Sequence, residues 1–135
     1  MNWIYKGKEV KSVEDLPPDT VGFVYEVINN KTQERYIGKK ILKHKKTLPP
    51  LKGKKRRRVT FKESDWKKYK GSSDTTKQWL IEDCTRVILE VCKNRTMMAY
   101  YETKYQFVKN VLEVDHYINE NIGGKFYKES IKKWK

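Results

Sequence analysis

Apolar and polar residues alternate along residues 21–28 (VGFVYEVI), and several of the apolar positions are β-branched or aromatic. This pattern is typical of a strand with one buried face. The following NNKTQE is polar and opens with an asparagine pair, which favours a turn. Residues 35–41 (RYIGKKI) then form the predicted returning strand. The pattern predicts an antiparallel hairpin that places Tyr25 and Tyr36, eleven positions apart, on neighbouring strands.

Shorter apolar runs and turn signals predict further elements. They are a short hairpin or an extended segment at 2–10 around Lys6-Gly7, one or two helical turns at 64–71 capped by Ser64, a helix capped by Ser73 or Asp74 that continues through Trp79 and Leu80 to Asp83, and a buried strand at 86–92 (RVILEVC).

The clearest helix is predicted over residues 97–112, with Thr96 as its N-cap. Glu102 and Gln106 fall beside its apolar stripe, a position typical of side chains that line a cleft. Residues 119–135 are predicted to be a Gly-Gly loop followed by a last helical turn. The stripe itself has helical spacing and consists of Met98, Tyr101, Tyr105, Val108 and Leu112.

Length and composition predict one folded domain over residues 1–135, large enough to bury a core without disulfides. Cys84 and Cys92 lie on apolar stretches without metal-site spacing, which predicts buried free thiols in a reducing compartment. The sequence has no apolar run long enough to span a membrane and no apolar signal segment near its start. These features predict a cytoplasmic protein.

The charge is concentrated in one segment. Of the 31 Lys and Arg residues, 11 lie between Lys39 and Arg58, where there is no Asp or Glu, while the rest of the chain has 20 basic and 17 acidic residues. A solvated loop is the simplest interpretation of such a run. A cluster of one sign repels itself unless a polyanion binds it, however, so the segment predicts a nucleic-acid partner. An acidic membrane surface is a weaker alternative, because no basic amphipathic helix accompanies the segment.

The tyrosine motifs resemble those of a known family. Phe23-Val24-Tyr25 and, after ten intervening residues, Tyr36-Ile37-Gly38 are similar to the paired motifs of the GIY-YIG nucleases, which include phage-borne homing endonucleases and some restriction enzymes. The resemblance covers residues 21–122 and implies an α/β fold with a three-stranded antiparallel sheet flanked by helices. The basic segment, about 43–62, is then a loop inserted into this core, although residues 56–61 could add a short edge strand.

The resemblance also assigns roles to individual residues. Glu102, on a helix after the third strand, matches the glutamate that holds the divalent metal, Mg²⁺ or Mn²⁺. Asn119 matches a late asparagine of the family, with Asn121 as a rival. The catalytic residues that it implies are Tyr25, Tyr36, Gly38, Lys39, Tyr69, Glu102 and Asn119, and no small-molecule cofactor is expected.

The sequence departs from the family pattern in two places. Phe23 stands where the first motif usually has glycine, although Gly22 is adjacent. The family arginine normally lies about eight residues past the motif glycine, and this chain has Lys46 there. If Trp66 and Tyr69 are instead aligned with the family's helix residues, the arginine position falls on Asp65. The displaced cation must then be a lysine or one of Arg56, Arg57 and Arg58, of which Arg58 is the candidate chosen here.

The chemistry of these residue types is coherent with phosphodiester hydrolysis. A cation held by one carboxylate can neutralise charge in the transition state and assist the leaving oxygen. A tyrosine with a pKa near 10 is a weak base unless a nearby lysine favours the phenolate, which is the role expected of Lys39. Either tyrosine could be the base; Tyr25 is favoured, with Tyr36 positioning water or phosphate, and Gly38 leaves room for the phosphate.

The predicted function is metal-dependent hydrolysis of DNA, with duplex DNA as partner. The alternative is a basic binding module that keeps the fold without catalysis, and the displaced arginine favours that alternative. The residues predicted to bind DNA are Lys40, Lys43, Lys46, Lys54, Lys55, Arg56, Arg57 and Arg58.

Overall fold

The computed structural model describes residues 2–126 and 128–134, which form a mixed α/β structure. In chain order, its strands are β1 (Trp3–Tyr5), β2 (Lys8–Val10), β3 (Gly22–Asn29), β4 (Arg35–Ile41), β5 (Lys43–Leu48), β6 (Arg58–Glu63) and β7 (Cys84–Cys92), and its α-helices are α1 (Asp74–Gln78), α2 (Arg95–Val108) and α3 (Lys128–Lys133).

The main sheet has five strands in the order β2-β1-β7-β3-β4. The predicted hairpin is confirmed: β3 and β4 are antiparallel, with Tyr25 opposite Gly38 and Val27 opposite Tyr36. Strand β7 pairs antiparallel with β3, which completes the three predicted strands. The main sheet nevertheless has more than the three predicted strands, because β1 pairs in parallel with β7 and β2 pairs antiparallel with β1.

The prediction of an irregular basic loop is wrong. Strands β5 and β6 pair along six residues each, from Lys43 opposite Glu63 to Leu48 opposite Arg58. Residues 43–63 therefore form a two-stranded hairpin, which we call the basic ribbon. The suggested strand at 56–61 exists in part as β6, but it pairs with β5 and not with the main sheet.

The ribbon continues the edge strand of the sheet. Leu42, between β4 and β5, is fully buried, and its N–H donates to the carbonyl of Val21. Ser64, at the other end of the ribbon, donates its N–H to the Leu42 carbonyl and its hydroxyl to the Ile41 carbonyl. These bonds fix the base of the ribbon directly beyond the strand that carries Tyr36.

The predicted helix at 64–71 is also wrong. The segment consists of turns, with the N–H of Tyr69 bonded to the carbonyl of Trp66, because the groups of Ser64 are bonded to the sheet and Trp66 is fully buried. The buried guanidinium of Arg86 holds this turn by donating to the carbonyls of Lys67 and Tyr69 at 2.9 and 2.8 Å. Burial lowers the pKa of Arg86 to about 10.

Helix α1 is capped by Ser73, one of the two predicted caps, but it ends at Gln78 and is followed by a 3₁₀ turn at Ile81–Asp83. Helix α2 begins two residues earlier than predicted, because the side chain of Asn94 and not Thr96 accepts from the N–H of Met97. The left-handed Asn110 (φ 54°) follows the helix.

The C-terminal half of the predicted apolar stripe is not buried. Val108 and Leu112 are 65% and 51% exposed, whereas the polar Gln106 is buried. In the tail, the predicted last helical turn is α3; positions 127 and 135 of that prediction lie outside the described residues.

Side chains cover both faces of the sheet. One face carries Phe23, Tyr25 and Val27 of β3 with Trp3 and Trp66, and the other packs Val24 and Ile37 against Met98 of α2. Both cysteines are buried and free, as predicted. The described part of the chain contains no helix that could cross a membrane.

The chain after α2 returns to the outer side of β4. Buried Glu26 accepts hydrogen bonds from Arg35 at 2.8 Å and from the Tyr117 hydroxyl at 3.1 Å. The backbone of Arg35 bonds to both His116 and Ile118. Residues 116–119 are thereby held along the edge strand, next to Tyr36.

Candidate active site

A cavity of about 550 Å³ lies at the edge of the sheet, where β4, α2 and the segment after Tyr117 meet. Side chains with oxygen or amide groups predominate around it. We call it the edge cavity; it is lined by Tyr36, Ser72, Ser73, Asp74, Thr75, Glu102, Gln106, Ile118, Asn119, Glu120, Asn121 and Gly123. Three residues predicted from the sequence as catalytic, Tyr36, Glu102 and Asn119, therefore meet here.

Glu102 reaches the cavity from the side of α2 that faces β4. Met98, one turn earlier, packs on the sheet, and Gln106, one turn later, donates to the Ile37 carbonyl at 3.1 Å. Glu102 is half-buried between them. Burial raises the pKa of its carboxyl group, and the positive charge of Lys39 acts in the opposite direction. The carboxylate is thus partly desolvated and lacks a full counter-charge, which suits it to attract a cation.

Tyr36 lies across the cavity from this helix and is half-buried. Its hydroxyl is 2.8 Å from the Ser72 hydroxyl, and this bond fixes its direction. The pKa of Tyr36 is raised, first by burial and then by Glu102 and Tyr69, while the bond to Ser72 lowers it. Ser72 was not among the residues predicted for the site, and its position beside Tyr36 follows from the unpredicted turn before α1.

Tyr25 is placed differently. It is 0% exposed, and among the described residues its hydroxyl has no hydrogen-bond partner. Its ring lies 6.3 Å from that of Tyr36 and 5.8 Å from that of Tyr69. Burial raises its pKa well above the usual value, and Tyr69 and Tyr36 raise it further. The lysine-favoured phenolate expected from the sequence is therefore not found at either tyrosine.

The side chain of Tyr25 explains why position 38 is a glycine. A Cβ atom at position 38 would lie 2.5 Å from the Tyr25 hydroxyl and 3.0 Å from the Tyr36 ring. Glycine thus allows the Tyr25 side chain to pack against β4. The space expected for a phosphate on this side of Gly38 is filled by protein.

Asn119 is bonded to the edge strand. Its Oδ1 accepts from the Ile37 N–H at 3.1 Å, and its Nδ2 donates to the Ile37 carbonyl at 2.8 Å. The side chain of Asn119 thus satisfies the backbone of β4 as a neighbouring strand would. This arrangement gives it a positioning role beside the cavity, and Asn121 lines the same cavity.

A second cavity of about 350 Å³ lies further along β4, toward the ribbon. Lys40 is oriented there by a 2.6 Å ion pair with Asp65 and lies 4.0 Å from the centre of the Tyr69 ring. We call it the lysine cavity; its lining is Lys39, Lys40, Ile41, Tyr69, Arg95 and Met98. Arg95 was missed from the sequence because it precedes the predicted helix, yet it lies seven residues before Glu102 and so on nearly the same side of α2.

The arginines of the ribbon lie outside both cavities. Arg58 is at the end of the ribbon away from Leu42, where its Nε donates to the Pro49 carbonyl at 3.2 Å. Arg56, Arg57 and Arg58 instead line an open surface cavity with Leu51, Lys54 and Val59. The structure therefore does not bring Arg58 together with Glu102, although it was predicted to be catalytic. The other predicted DNA-binding residues of the ribbon, Lys43, Lys46, Lys54 and Lys55, are all exposed.

The edge cavity fits a hard divalent cation that keeps most of its water. Among the described residues, no three His, Cys, Asp or Glu side chains are grouped to hold a metal ion. Mg²⁺ is commonly bound through one or two carboxylates together with water and substrate phosphate. Glu102 offers such a carboxylate in a cavity rich in oxygen atoms, so the donor set agrees with that mode of binding.

Comparison with known proteins gives one family match. The family model described as "Putative endonuclease segE, GIY-YIG domain" matches residues 3–130. Neither a curated protein nor a solved structure matches the chain. Because the family model covers almost the whole sequence, the chain belongs to the segE-type GIY-YIG endonuclease family.

Proposed function

We propose that this protein is a metal-dependent endonuclease that hydrolyses phosphodiester bonds of double-stranded DNA in the edge cavity. The observation that carries the proposal is that Tyr36 and Glu102, from different elements, line the same cavity. The nuclease core extends over residues 21–122 of a single domain, with the basic ribbon inserted. The family resemblance favours a phage-type, homing-endonuclease-like role in a host cytoplasm.

Glu102 is the protein ligand of the metal in this proposal. A bound Mg²⁺ or Mn²⁺ supplies neutralisation of the attacked phosphate and a lower pKa for bound water. The half-buried position of Glu102 limits the water that competes for its carboxylate. Gln106 holds α2 against β4 through the Ile37 carbonyl, and Asn119 holds the segment after Tyr117 against the same residue.

Tyr36, and not Tyr25, is the base that accepts the proton of the attacking water, and it must do so as the phenolate. A cation held by Glu102 would favour that form, because it would offset the carboxylate charge that raises the Tyr36 pKa. A base must lie within hydrogen-bond reach of the water it activates. The Tyr36 hydroxyl opens to the edge cavity, whereas the Tyr25 hydroxyl is enclosed under Gly38. Tyr25 supports the Tyr36 ring from within the core. Ser72 keeps the Tyr36 hydroxyl directed into the cavity and exchanges hydrogen bonds with it.

Lys39 supplies the cation that the family normally takes from arginine. It is exposed at the lysine cavity, and its charge acts on Glu102. A lysine in this place can neutralise the developing charge on a phosphate bound beside Glu102. Lys40 and Arg95 bind neighbouring phosphates of the same strand.

The test is nicking of a supercoiled plasmid with Mg²⁺ or Mn²⁺, compared with a chelator control. We expect nicked product only with metal, and none above background from Glu102→Gln, which keeps the size of the side chain. A variant that nicks at near wild-type rate would show that Glu102 is not the metal ligand.

A catalytically inactive binding module is the second candidate. The observation that favours it is the absence of Arg56, Arg57 and Arg58 from the edge cavity. If the wild type binds the plasmid but never nicks it with either metal, this second function replaces the first.

A further inference from the structure

We propose that the basic ribbon binds the major groove of duplex DNA through one particular face. The inference rests on the proposed DNA substrate and adds how that substrate is held. Side chains of directly paired residues in an antiparallel hairpin lie on the same face. The register of β5 and β6 therefore sorts the ribbon into two faces of different chemistry.

The first face is apolar in the middle and contains an acid. Phe61 and Val59 are 64% and 51% exposed there, and Glu63 accepts a hydrogen bond from the indole of Trp66 at 2.7 Å. Glu63, at the end of the ribbon nearest the sheet, is thus bonded to the body of the protein. The members of this face are Lys43, Lys45, Thr47, Val59, Phe61 and Glu63.

The second face is cationic and has no carboxylate. Lys46, Arg58 and Lys62 are exposed on it, with Thr60 between them as a hydrogen-bonding side chain. Its members are His44, Lys46, Leu48, Arg58, Thr60 and Lys62. The first face carries Lys43 and Lys45 with one carboxylate, Glu63, whereas the second carries three cations and no acid, so charge complementarity favours the second face for DNA.

The dimensions of the ribbon suit the major groove. Six residues per strand extend about 20 Å, and two paired strands are about 5 Å apart before side chains are added. The major groove of B-DNA is about 12 Å wide and admits a two-stranded ribbon, whereas the minor groove is about half as wide. The tip, residues 49–57, adds Lys52, Lys54, Lys55, Arg56 and Arg57 beyond the paired strands, where the groove is bordered by phosphates.

The position of the ribbon also connects the groove to the candidate active site. The ribbon starts at Leu42, and Lys39 and Lys40 of the lysine cavity lie just before it on β4. DNA on the second face therefore continues toward Lys39 and then Glu102. The ribbon would set where along the duplex the cut falls, which neither cavity alone can do.

The first experiment identifies the groove. Dimethyl sulfate methylates guanine N7 in the major groove and adenine N3 in the minor groove, so one reagent reports on both. Wild-type protein is bound to a 30-base-pair duplex of mixed sequence in a metal chelator, which prevents cutting. We expect protection at guanine N7 and unchanged methylation at adenine N3. Protection at adenine N3 alone, or at neither atom, would overturn the proposal.

The second experiment identifies the face with a matched pair of variants. Lys45 and Lys46 are adjacent, exposed and equally charged, but they lie on opposite faces. Lys46→Gln and Lys62→Gln should each weaken binding roughly three- to tenfold and make the slope of log affinity against log salt shallower by about 0.9. Lys45→Gln should change affinity less than about twofold and leave the slope unchanged. Equal losses from Lys45→Gln and Lys46→Gln, or a large loss from Phe61→Ala, would overturn the assignment of the face.

Two outcomes keep this inference separate from the proposed function. Loss of binding by Lys46→Gln in a protein that never cuts would support the ribbon and reject the nuclease. A wild type that cuts, with equal losses from the two lysine variants, would support the nuclease and reject the ribbon. An RNA duplex of the same sequence should bind more weakly, because its major groove is deep and narrow; tighter binding to RNA would contradict the proposed groove.

Discussion

The buried hydroxyl of Tyr25 leads to the sharpest prediction. Tyr25→Phe removes one oxygen atom that is fully enclosed and makes no hydrogen bond of good geometry among the described residues, although Tyr69 lies close enough to raise its pKa. An unsatisfied buried polar group costs about 1–3 kcal/mol, and removal of it recovers that cost. The void that remains is smaller than a methyl group, so it costs less than about 1 kcal/mol. We therefore expect a net stabilisation of about 1 kcal/mol.

The expected shift is large enough to measure. For 135 residues, an unfolding entropy of about 2.1 cal/mol/K per residue makes 1 kcal/mol equal to roughly 3 to 4 °C in Tm. The same variant should cut DNA within about threefold of the wild-type rate under single-turnover conditions, since a base loss would cost about 10²-fold or more.

Tyr36→Phe is the matched control. It removes a hydroxyl that is bonded to Ser72 and open to the edge cavity, so it should lose up to about 1 kcal/mol of stability. Its cutting rate should fall about 10²- to 10⁴-fold. If instead Tyr25→Phe is folded, melts below the wild type and cuts at least 10²-fold more slowly, the Tyr25 hydroxyl has a partner in solution and is the base. Full activity in both variants would mean that neither tyrosine takes the proton.

Three further predictions follow from the contacts of the site. Burial raises the pKa of Glu102 above its usual value, so the folded protein binds this proton more tightly than the unfolded chain, and the stabilisation present at low pH is lost as pH rises through the folded pKa. Glu102→Gln should thus have a higher Tm than wild type at pH 7 and an equal Tm below about pH 4. Only the wild-type Tm should rise on addition of Mg²⁺. A difference in Tm that does not change with pH would contradict the raised pKa of Glu102. Lys39→Met should lower the single-turnover rate at saturating DNA, whereas Arg58→Ala should lower only affinity; the reverse result would restore Arg58 as the catalytic cation. Asn119→Ala should destabilise the protein by about 1–3 kcal/mol in denaturant unfolding, because it leaves the buried N–H of Ile37 without an acceptor; an unchanged midpoint would show that water replaces the amide.

The strands that the sequence predicted are those rich in β-branched and aromatic residues and bounded by a polar turn. Strands β3 and β4 match their predicted bounds within one residue, although β3 is buried on both faces and not on one. The parallel pairing of β1 with β7 joins Ile4 to Val87, and no local pattern encodes a contact across so many residues.

The failures have specific physical causes. The basic ribbon has no buried face, so its strands lack apolar alternation and its lysines indicated a loop. The stripe of α2 was extended to Leu112 because periodicity does not show where a helix ends, and the chain leaves the helix near Asn110. Gln106 is buried where it donates to the Ile37 carbonyl, a tertiary contact that the local sequence pattern does not encode.

The candidate site was likewise predictable only in part from the sequence. Tyr36 and Glu102 were found because they match motif residues of the family that the sequence resembles, and the structure places them at one cavity. Ser72 and Arg95 were not selected, since each depends on a turn or a helix start that the sequence pattern misplaced. The position of Arg58 depended on the conformation of the ribbon and could not be judged before it was known.

The basic ribbon also has a consequence for assembly. In the described part of the chain, β5 and β6 pair only with each other, so each has an outer edge with backbone groups available to another strand. Such edges invite association between copies, and lysines on them oppose it by repulsion. Neutralisation of this charge by salt or by bound polyanion weakens that protection. Concentrated protein should therefore stay dispersed best at low ionic strength, the reverse of what is usual for proteins near neutrality.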